Sequence, residues 1–326
     1  MNREQVIIIG AGPCGLSCAL ELEKLGIRAL IIEKGNIVNS LYRFPTHQTF
    51  FSTSERLEIG DVPFITEKPK PVRLQALAYY REVCLRNKLR IHTFEKAEQI
   101  EKTNEGFLVR TTTKNKEVQT YYADFVVIAT GYYDQPNYLN IPGENLEKVT
   151  HYFKEAHPYY DTDVAVIGGK NSAVDAALEL FHAGARVTVL YRGKEYSKSI
   201  KPWILPEFDS LIRKGKIEMI FESEVVEITN EEIHFTVKGK LQKRKNDFVF
   251  AMTGYRPDIE FLKMAGVNVD AHTGKPDFDE ETMETNVPGI YIAGVVAAGF
   301  NNNEIFIENG RFHGKQIAQS VKEKTE

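Results

Sequence analysis

Three glycines and a cysteine share one turn near the start of the chain. In "VIIIGAGPCGLSCALELEKLGIRALIIEKG", Gly10, Gly12 and Gly15 keep G-x-G-x-x-G spacing, with Pro13 and Cys14 between the last two. In such a turn one glycine permits the tight bend, one lets the backbone approach a pyrophosphate, and one packs helix on strand. The helix that follows offers unpaired amides and a positive dipole to phosphate oxygens. Glu33, 23 residues after Gly10 and followed by Lys34, ends the next apolar run. A carboxylate there accepts hydrogen bonds from both hydroxyls of an adenosine ribose. Cys14 has two readings. The amides and dipole of a helix start favour a thiolate, so its pKa is expected below that of a free thiol and the sulfur is expected to be reactive. Alternatively the turn only needs a small residue, and cysteine serves as alanine would.

The same pattern returns in "DVAVIGGKNSAVDAALELFHAGARVTVLYRG". Gly168 and Ala173 take the first and third glycine positions, and Gly169, Lys170, Asn171 and Ser172 lie between them. Lys170 stands where the second glycine is expected, and its ammonium can pair with a phosphate. Gly168 and Tyr191 are again 23 residues apart, but the strand ends in Tyr191-Arg192 and no acid. A ribose 2′-hydroxyl has no carboxylate there, whereas a 2′-phosphate has a guanidinium, which selects NADPH over NADH. Ser197 and Lys198 are expected to assist Arg192.

Both turns need a strand before them and a helix after them, and the periodicity supplies both: buried strand, amphipathic helix, buried strand. Each unit is later closed by an apolar strand ending in Thr-Gly-Tyr, "FVVIATGYY" and "FVFAMTGYR". Thr130 and Gly131 sit at the first of these strand ends. Short alternating runs before the closing strands read as antiparallel ribbons, with "KGKLQKRK" as a hairpin. The C-terminal "GIYIAGVVAAGFNNNEIFIENGRFHGKQIAQSV" is a strand, a glycine-rich loop and a helix that belong back on the first unit. The fold class is therefore α/β, with two Rossmann-like dinucleotide-binding domains and the second inserted into the first. Residues 1–134 and 253–326 form the host domain and residues 135–252 the insert. Two dinucleotide sites in one chain imply a flavin, FAD, that receives hydride from a nicotinamide.

Composition excludes several other classes. A formal charge of −4 over 326 residues gives no electrostatic pull toward nucleic acid or an anionic membrane surface. No apolar stretch is long enough to span a bilayer, and the first strand starts too near Met1 for a leader, so a cytoplasmic protein is expected. The three cysteines, Cys14, Cys18 and Cys84, lack C-x-x-C spacing, and the histidines, including His151, His157, His182 and His313, lack ligand spacing, so no metal is expected. Cys18 and Cys84 fall on apolar helix faces and read as small buried hydrophobes.

"GAGPCG", "ATGYYDQPN", "IPGE", "VIGGKNSAVDAAL" and "YIAGVVAAG" together resemble the two-domain flavoprotein disulfide reductases of thioredoxin-reductase type. They are most similar to the bacillithiol disulfide reductases of low-GC Gram-positive bacteria. The resemblance implies an FAD domain of residues 1–134 and 253–326 and an NADPH domain of residues 135–252. It also implies an aromatic loop over the flavin, in which His47, Gln48 and Ser52 touch cofactor or substrate. Glu304 and Ile305 would open the last helix, whose amides face the flavin pyrimidine. The family's Ala-Gly-Asp is Ala293-Gly294-Val295 here, leaving only backbone contact at Gly294. The C-x-x-C of thioredoxin reductases is absent, and the bacillithiol disulfide reductases place their nucleophile in the first glycine turn, which makes Cys14 the candidate.

The expected activity is NADPH-dependent reduction of a small-molecule disulfide, most directly bacillithiol disulfide, by a homo-oligomeric enzyme. A flavin-containing monooxygenase and a non-catalytic flavin redox sensor are the alternatives at this stage. For Arg192→Ala we expect NADPH affinity to fall by about one to two orders of magnitude, on the order of 1.5–3 kcal/mol for charged hydrogen bonds to the 2′-phosphate. NADH affinity should barely move, and titration of each nucleotide against the variant is the check.

Overall fold

Strand β1 (Asn2–Ile9) is apolar without interruption from Val6 to Ile9, as a strand covered on both faces must be. The computed structural model describes residues 2–301 and 303–326. The chain runs from β1 through helix α1 (Pro13–Lys24) to β2 (Ala29–Glu33), then through the short helix α2 (Asn39–Tyr42) and α3 (Arg73–Arg86) to β3 (Arg90–Thr93). Strands β4 (Glu95–Thr103), β5 (Gly106–Thr113) and β6 (Val118–Ile128) form an antiparallel ribbon. The chain continues through β7 (Val149–Thr150), β8 (Asp163–Ile167), α4 (Asn171–His182), β9 (Arg186–Leu190), α5 (Leu205–Arg213) and β10 (Glu218–Ile220). A second ribbon, β11 (Ser223–Ile228), β12 (Glu232–Val237) and β13 (Lys240–Lys245), precedes β14 (Phe248–Ala251). Helix α6 (Ile259–Met264), β15 (Ile290–Ile292), the single turn α7 (Ile307–Gly310) and α8 (His313–Thr325) complete the chain.

These elements divide into two units. One comprises Met1–Tyr42, Gln48–Gln135 and Arg256–Glu326, and the other Arg43–His47 and Pro136–Tyr255. Among the described residues the strands of the first unit make a seven-stranded sheet in the order β3-β2-β1-β6-β5-β4, with β15 also on β6. Strands β3, β2, β1, β6 and β15 are parallel neighbours, the arrangement of a dinucleotide fold. The ribbon strand and the closing strand, read separately in the sequence, are one continuous strand. The first half of β6 pairs with β5, and from Val126 onward it pairs with β15 instead. Because β1 lines its other side from Tyr121 to Ile128, β6 holds the parallel and antiparallel parts together.

The second unit has a parallel sheet in the order β10-β9-β8-β14-β7 and a separate three-stranded ribbon. Here β13 and β14 are distinct strands, interrupted at Asn246 and Asp247. Helix α4 covers the sheet with Ala173, Val174, Ala177 and Leu180, which meet Phe208 of α5 in one buried cluster. Burying each large side chain of this kind contributes about 1.5–3 kcal/mol. Strand β7, which the sequence reading did not identify, supplies the fifth parallel position from the chain ahead of β8. The linkers entering and leaving this unit pair with each other: Pro136 lies opposite Tyr255, and the Thr253 hydroxyl donates to the Asn137 carbonyl at 2.6 Å.

The break after β13 is held by a buried polar group. Asn246 Oδ1 accepts from Lys148 Nζ at 3.0 Å, and its Nδ2 donates to the Phe248 carbonyl at 3.1 Å. Lys148 Nζ also donates to the carbonyls of Asn230 and Asn246, and burial holds its pKa below the ordinary lysine value. For Asn246→Ala, a loss of about 1–3 kcal/mol is expected, the cost of leaving buried groups unsatisfied. A fall in the urea midpoint of the second unit's fluorescence transition would measure it.

Candidate functional site

The first glycine turn is fixed by backbone crowding. Gly10 has φ +111°, and a Cβ on it would lie 2.5 Å from the Ala129 carbonyl oxygen at the end of β6. A Cβ on Gly15 would lie 2.0 Å from the Gly10 carbonyl oxygen, so α1 rests against the turn it leaves. By contrast, a Cβ on Gly12 would meet nothing within 4 Å, and Gly12 caps α1 without a side-chain bond while Pro13 takes the first helical position. The space beside Gly12 at the start of α1 is therefore open, as a phosphate cradle requires.

Glu33 closes this cradle from the end of β2. It is buried, and its two oxygens accept the backbone N–H groups of Ala11 at 2.8 Å and Gly35 at 2.7 Å. Burial raises its pKa, and the two amides oppose that shift. A carboxylate has about four acceptor sites, so capacity remains for a vicinal diol. The neighbouring Lys34 pairs with Asp134 at 2.9 Å, a partner the sequence reading missed. At the end of β6, the Thr130 hydroxyl is buried without a hydrogen-bond partner, and Gly131 opens onto free space.

Cys14 lies one residue inside α1, and its side chain fills a slot between two later glycines. A Cβ on Gly294 would lie 3.0 Å from both Cβ and Sγ of Cys14, and a Cβ on Gly310 would lie 3.0 Å from Sγ and 3.1 Å from Ile305 Cγ2. The Gly294 N–H donates to His313 Nδ1 at 3.2 Å, so this histidine is tied into the slot rather than merely scattered, and burial lowers its pKa. The expected low thiol pKa is overturned. Burial, aided by the Glu308 carboxylate, pushes the Cys14 thiol up to about 12. The dipole of the helix start is a modest, short-range effect, and desolvation of a thiolate outweighs it. Glu308 accepts the Ser52 hydroxyl at Oε1, which places Ser52 beside this group. Cys18 and Cys84 are buried.

The other residues of the aromatic loop part company. Gln48 bonds its own neighbour, Nε2 to the Thr49 carbonyl at 2.7 Å. His47 belongs to the second unit, where Nε2 lies 3.5 Å from Glu179 and its ring meets Phe153 edge-on. Thr46 N–H and the Lys154 carbonyl hold that segment there. Glu304 is exposed and Ile305 half-buried, and neither opens the last helix. The chain makes the single turn α7 after them, then breaks before α8 begins at His313. Asn309 causes the early turn: Oδ1 accepts the Phe306 N–H at 2.8 Å, and Nδ2 donates to the Glu304 carbonyl at 3.0 Å.

In the second unit, Gly168 repeats the role of Gly10: φ is +139°, and a Cβ would lie 2.4 Å from the Met252 carbonyl oxygen. Gly169 and Gly193 pack against the Tyr191 ring. Asn171 ties the turn to the loop that carries Ser197 and Lys198. Its Nδ2 donates to the Ser199 carbonyl at 2.9 Å, and its Oδ1 accepts the Lys201 N–H at 2.9 Å. Ser197 shares a hydroxyl hydrogen bond with Ser199. Lys170, Ser172, Arg192 and Lys198 are exposed around this turn, three cations suited to phosphate oxygens. Asp175, a turn further along α4, is pushed up to about 6 by burial, with Glu179 adding to the shift.

A family model for pyridine nucleotide-disulphide oxidoreductases matches residues 7–294. The chain belongs to this family. It is also 62% identical over 322 residues to bacilliredoxin reductase Bdr of Bacillus subtilis, covering 98% of both chains. The solved bacillithiol disulfide reductase Bdr (YpdA) of Bacillus cereus is 62% identical with a TM-score of 0.98, covering 99% of this chain and 100% of that one. The corresponding Staphylococcus aureus structure is 54% identical with a TM-score of 0.95, over the whole of both chains. Thioredoxin reductase of T. acidophilum, at 22% identity and a TM-score of 0.78, shares the fold. The protein is an enzyme, an oxidoreductase of a family that works with FAD and NADPH.

The residues present fit such cofactors. The orphaned Thr130 hydroxyl, the open faces of Gly12 and Gly131, and the spare acceptors of Glu33 all lie at the carboxyl ends of β1, β2 and β6, where ligands of this fold sit. Among the described residues there is no cluster of histidine, cysteine or carboxylate side chains able to hold a metal, and no helix long and apolar enough to cross a membrane. In Gly15→Ala the added methyl meets a backbone oxygen that cannot turn aside, so α1 must shift. We expect purified Gly15→Ala to lose most of its flavin, read as the ratio of visible to ultraviolet absorbance.

Proposed function

We propose that this oxidoreductase is an NADPH-dependent, FAD-containing reductase of bacillithiol disulfide, with Cys14 as the thiol that attacks the substrate. The observation that carries the reading is the position of Cys14. It is the half-buried cysteine of the three, held at a helix start in a slot made by Gly294 and Gly310, within a chain 62% identical to a solved bacillithiol disulfide reductase.

In this reading the first unit holds FAD. Gly10, Gly12, Pro13, Cys14 and Gly15 face its phosphates, Glu33 with Lys34 its ribose, and Thr130, Gly131, Gly294, Glu304 and Ile305 its remaining length. Gln48 and Ser52 approach from the loop. The second unit holds NADPH through Gly168, Gly169, Lys170, Asn171 and Ser172, with Arg192, Ser197 and Lys198 at the 2′-phosphate. FAD, when bound, accepts hydride from NADPH and supplies two electrons to a disulfide. The chain's own contribution is to orient both nucleotides and to present Cys14 Sγ to one sulfur of the substrate. Cys14 then carries half of the substrate as a mixed disulfide after the other half leaves as a thiol. Cys18 is a poor resolving partner, because one helical turn on its Cβ runs nearly parallel to that of Cys14. A cytoplasmic, homo-oligomeric enzyme belongs to the same reading.

The monooxygenase alternative has less support, since the flavin monooxygenase of Stenotrophomonas maltophilia is 18% identical and shares the fold alone. The Bacillus subtilis relative's name points to a second substrate, a bacilliredoxin. Anaerobic NADPH oxidation against the disulfides of bacillithiol, coenzyme A and glutathione, and against oxidised bacilliredoxin, separates these readings. Turnover that rises with bacillithiol disulfide alone supports the proposal, and turnover only with the protein substrate overturns it. Cys14→Ala should keep its flavin and be reduced by NADPH in a single turnover. Its disulfide-dependent turnover should fall by more than about a thousandfold, roughly 4 kcal/mol of transition-state stabilisation.

A further inference from the structure

The segment from Tyr191 to Lys201, which carries Arg192, Ser197 and Lys198, runs as turns and bends between β9 and α5. Contacts outside the segment must therefore give it one shape. It is fastened near both ends to the same glycine turn. At the near end the Gly168 N–H donates to the Leu190 carbonyl at 2.9 Å, and the Tyr191 ring lies so close over Gly169 that a Cβ there would be 2.4 Å from it. At the far end Asn171 supplies the fastening. Its Nδ2 donates to the Ser199 carbonyl and its Oδ1 accepts the Lys201 N–H, both at 2.9 Å. An aspartate at this position would lack the donor, and a serine would reach with one atom instead of two. The hold passes on from Ser199 to Ser197. The Ser199 N–H donates to Ser197 Oγ at 3.3 Å, and the two hydroxyls share a hydrogen bond at 2.8 Å. Fixing Ser199 thus fixes the Ser197 hydroxyl and the backbone that bears Lys198.

We propose that Asn171 is a positioning residue for nucleotide choice: its amide holds the Ser197–Lys201 segment, before any nucleotide arrives, in the shape that receives a 2′-phosphate. The inference rests on the reading of Arg192, Ser197 and Lys198 as the 2′-phosphate site. Its physical cause is the entropy of ordering. A loop that becomes ordered only on binding loses part of the interaction to its own lost freedom, and a loop held beforehand does not. A nucleotide without a 2′-phosphate makes no contact that depends on this shape. The clamp therefore favours NADPH and is neutral toward NADH, although the side chain that provides it is uncharged and is engaged by the backbone of the segment.

The test uses the FAD-loaded protein with the oxidised nucleotides NADP+ and NAD+, so that no hydride moves, and reads both affinities by calorimetry. Asn171→Ala should weaken NADP+ at least about tenfold and NAD+ by less than about twofold. In a Ser197→Ala/Lys198→Ala background the same change should weaken NADP+ by less than about twofold further, because the groups that Asn171 positions are then gone. Trp203, the single tryptophan of the chain, stands two residues beyond Lys201, so its time-resolved anisotropy reports on the segment with no nucleotide present. Asn171→Ala should raise the fast-decaying amplitude at least about twofold. An equal loss for both nucleotides, an undiminished loss in the Ser197→Ala/Lys198→Ala background, or an unchanged Trp203 anisotropy would each overturn the inference. Arg192→Ala separates it from the reading beneath it. If the ratio of the two affinities survives Arg192→Ala, the 2′-phosphate site lies elsewhere, and that reading fails together with the inference. If the ratio collapses in Arg192→Ala and not in Asn171→Ala, the inference alone fails.

Discussion

The contact between Gly15 and the Gly10 carbonyl sets the geometry on which the first unit's chemistry depends. A helix cannot lie this close to the strand it follows if either partner carries a side chain at the point of contact. Once it does, the direction of α1 is no longer adjustable. The start of α1 is then fixed at the ends of β1 and β6, and Cys14 is carried to a fixed depth. Everything else at that end accommodates this placement. Glu33 reaches across to the Ala11 amide, the turn after β15 carries a glycine, Gly294, that leaves room for the sulfur, and α7 closes over it with another.

The parts of this arrangement legible in the sequence are those governed by local steric rules. Glycine spacing, apolar runs and the acid or arginine at a strand end are properties of one βαβ unit, and such units carry their signature within about thirty residues. What was not legible is what the chain brings together from far away or builds from very little. Strand β7 is two residues long, too short for any periodicity. Arg43–His47 looks like part of a continuous loop, and contacts distant in sequence, such as that of Thr46 with Lys154, reveal which unit it joins. Glu308 was visible in "EIFIENG", but nothing nearby marks it as the partner of Ser52. The thiol pKa shows the same limit. The helix start is a sequence feature, whereas the degree of burial that outweighs it depends on Gly294 and Gly310, nearly three hundred residues downstream.

The two dinucleotide folds are alike in their turns and unlike in how their sheets are completed. Both place the βαβ unit and the closing strand in the order of neighbours expected of the fold. The first unit then continues its closing strand backward into the ribbon, while the second detaches its ribbon at Asn246 and supports the break with a lysine in a partly dry setting. The detached form has a specific polar anchor, whereas in the continuous form one long strand passes from β5, paired up to Ala123, to β15, paired from Val126.

The source of the fifth strand also bears on how the chain acquires its structure during synthesis. All five parallel strands of the inserted unit lie between Val149 and Ala251, because β7 comes ahead of β8. The host sheet lacks β15 until Ile292 has been made. Domains fold as units as they emerge, ordinarily from the amino-terminal end, but here the later unit has its full parallel sheet first. The host must wait with the last residues of β6 open along one edge, and its sheet closes only after the whole inserted unit and β15 have been made.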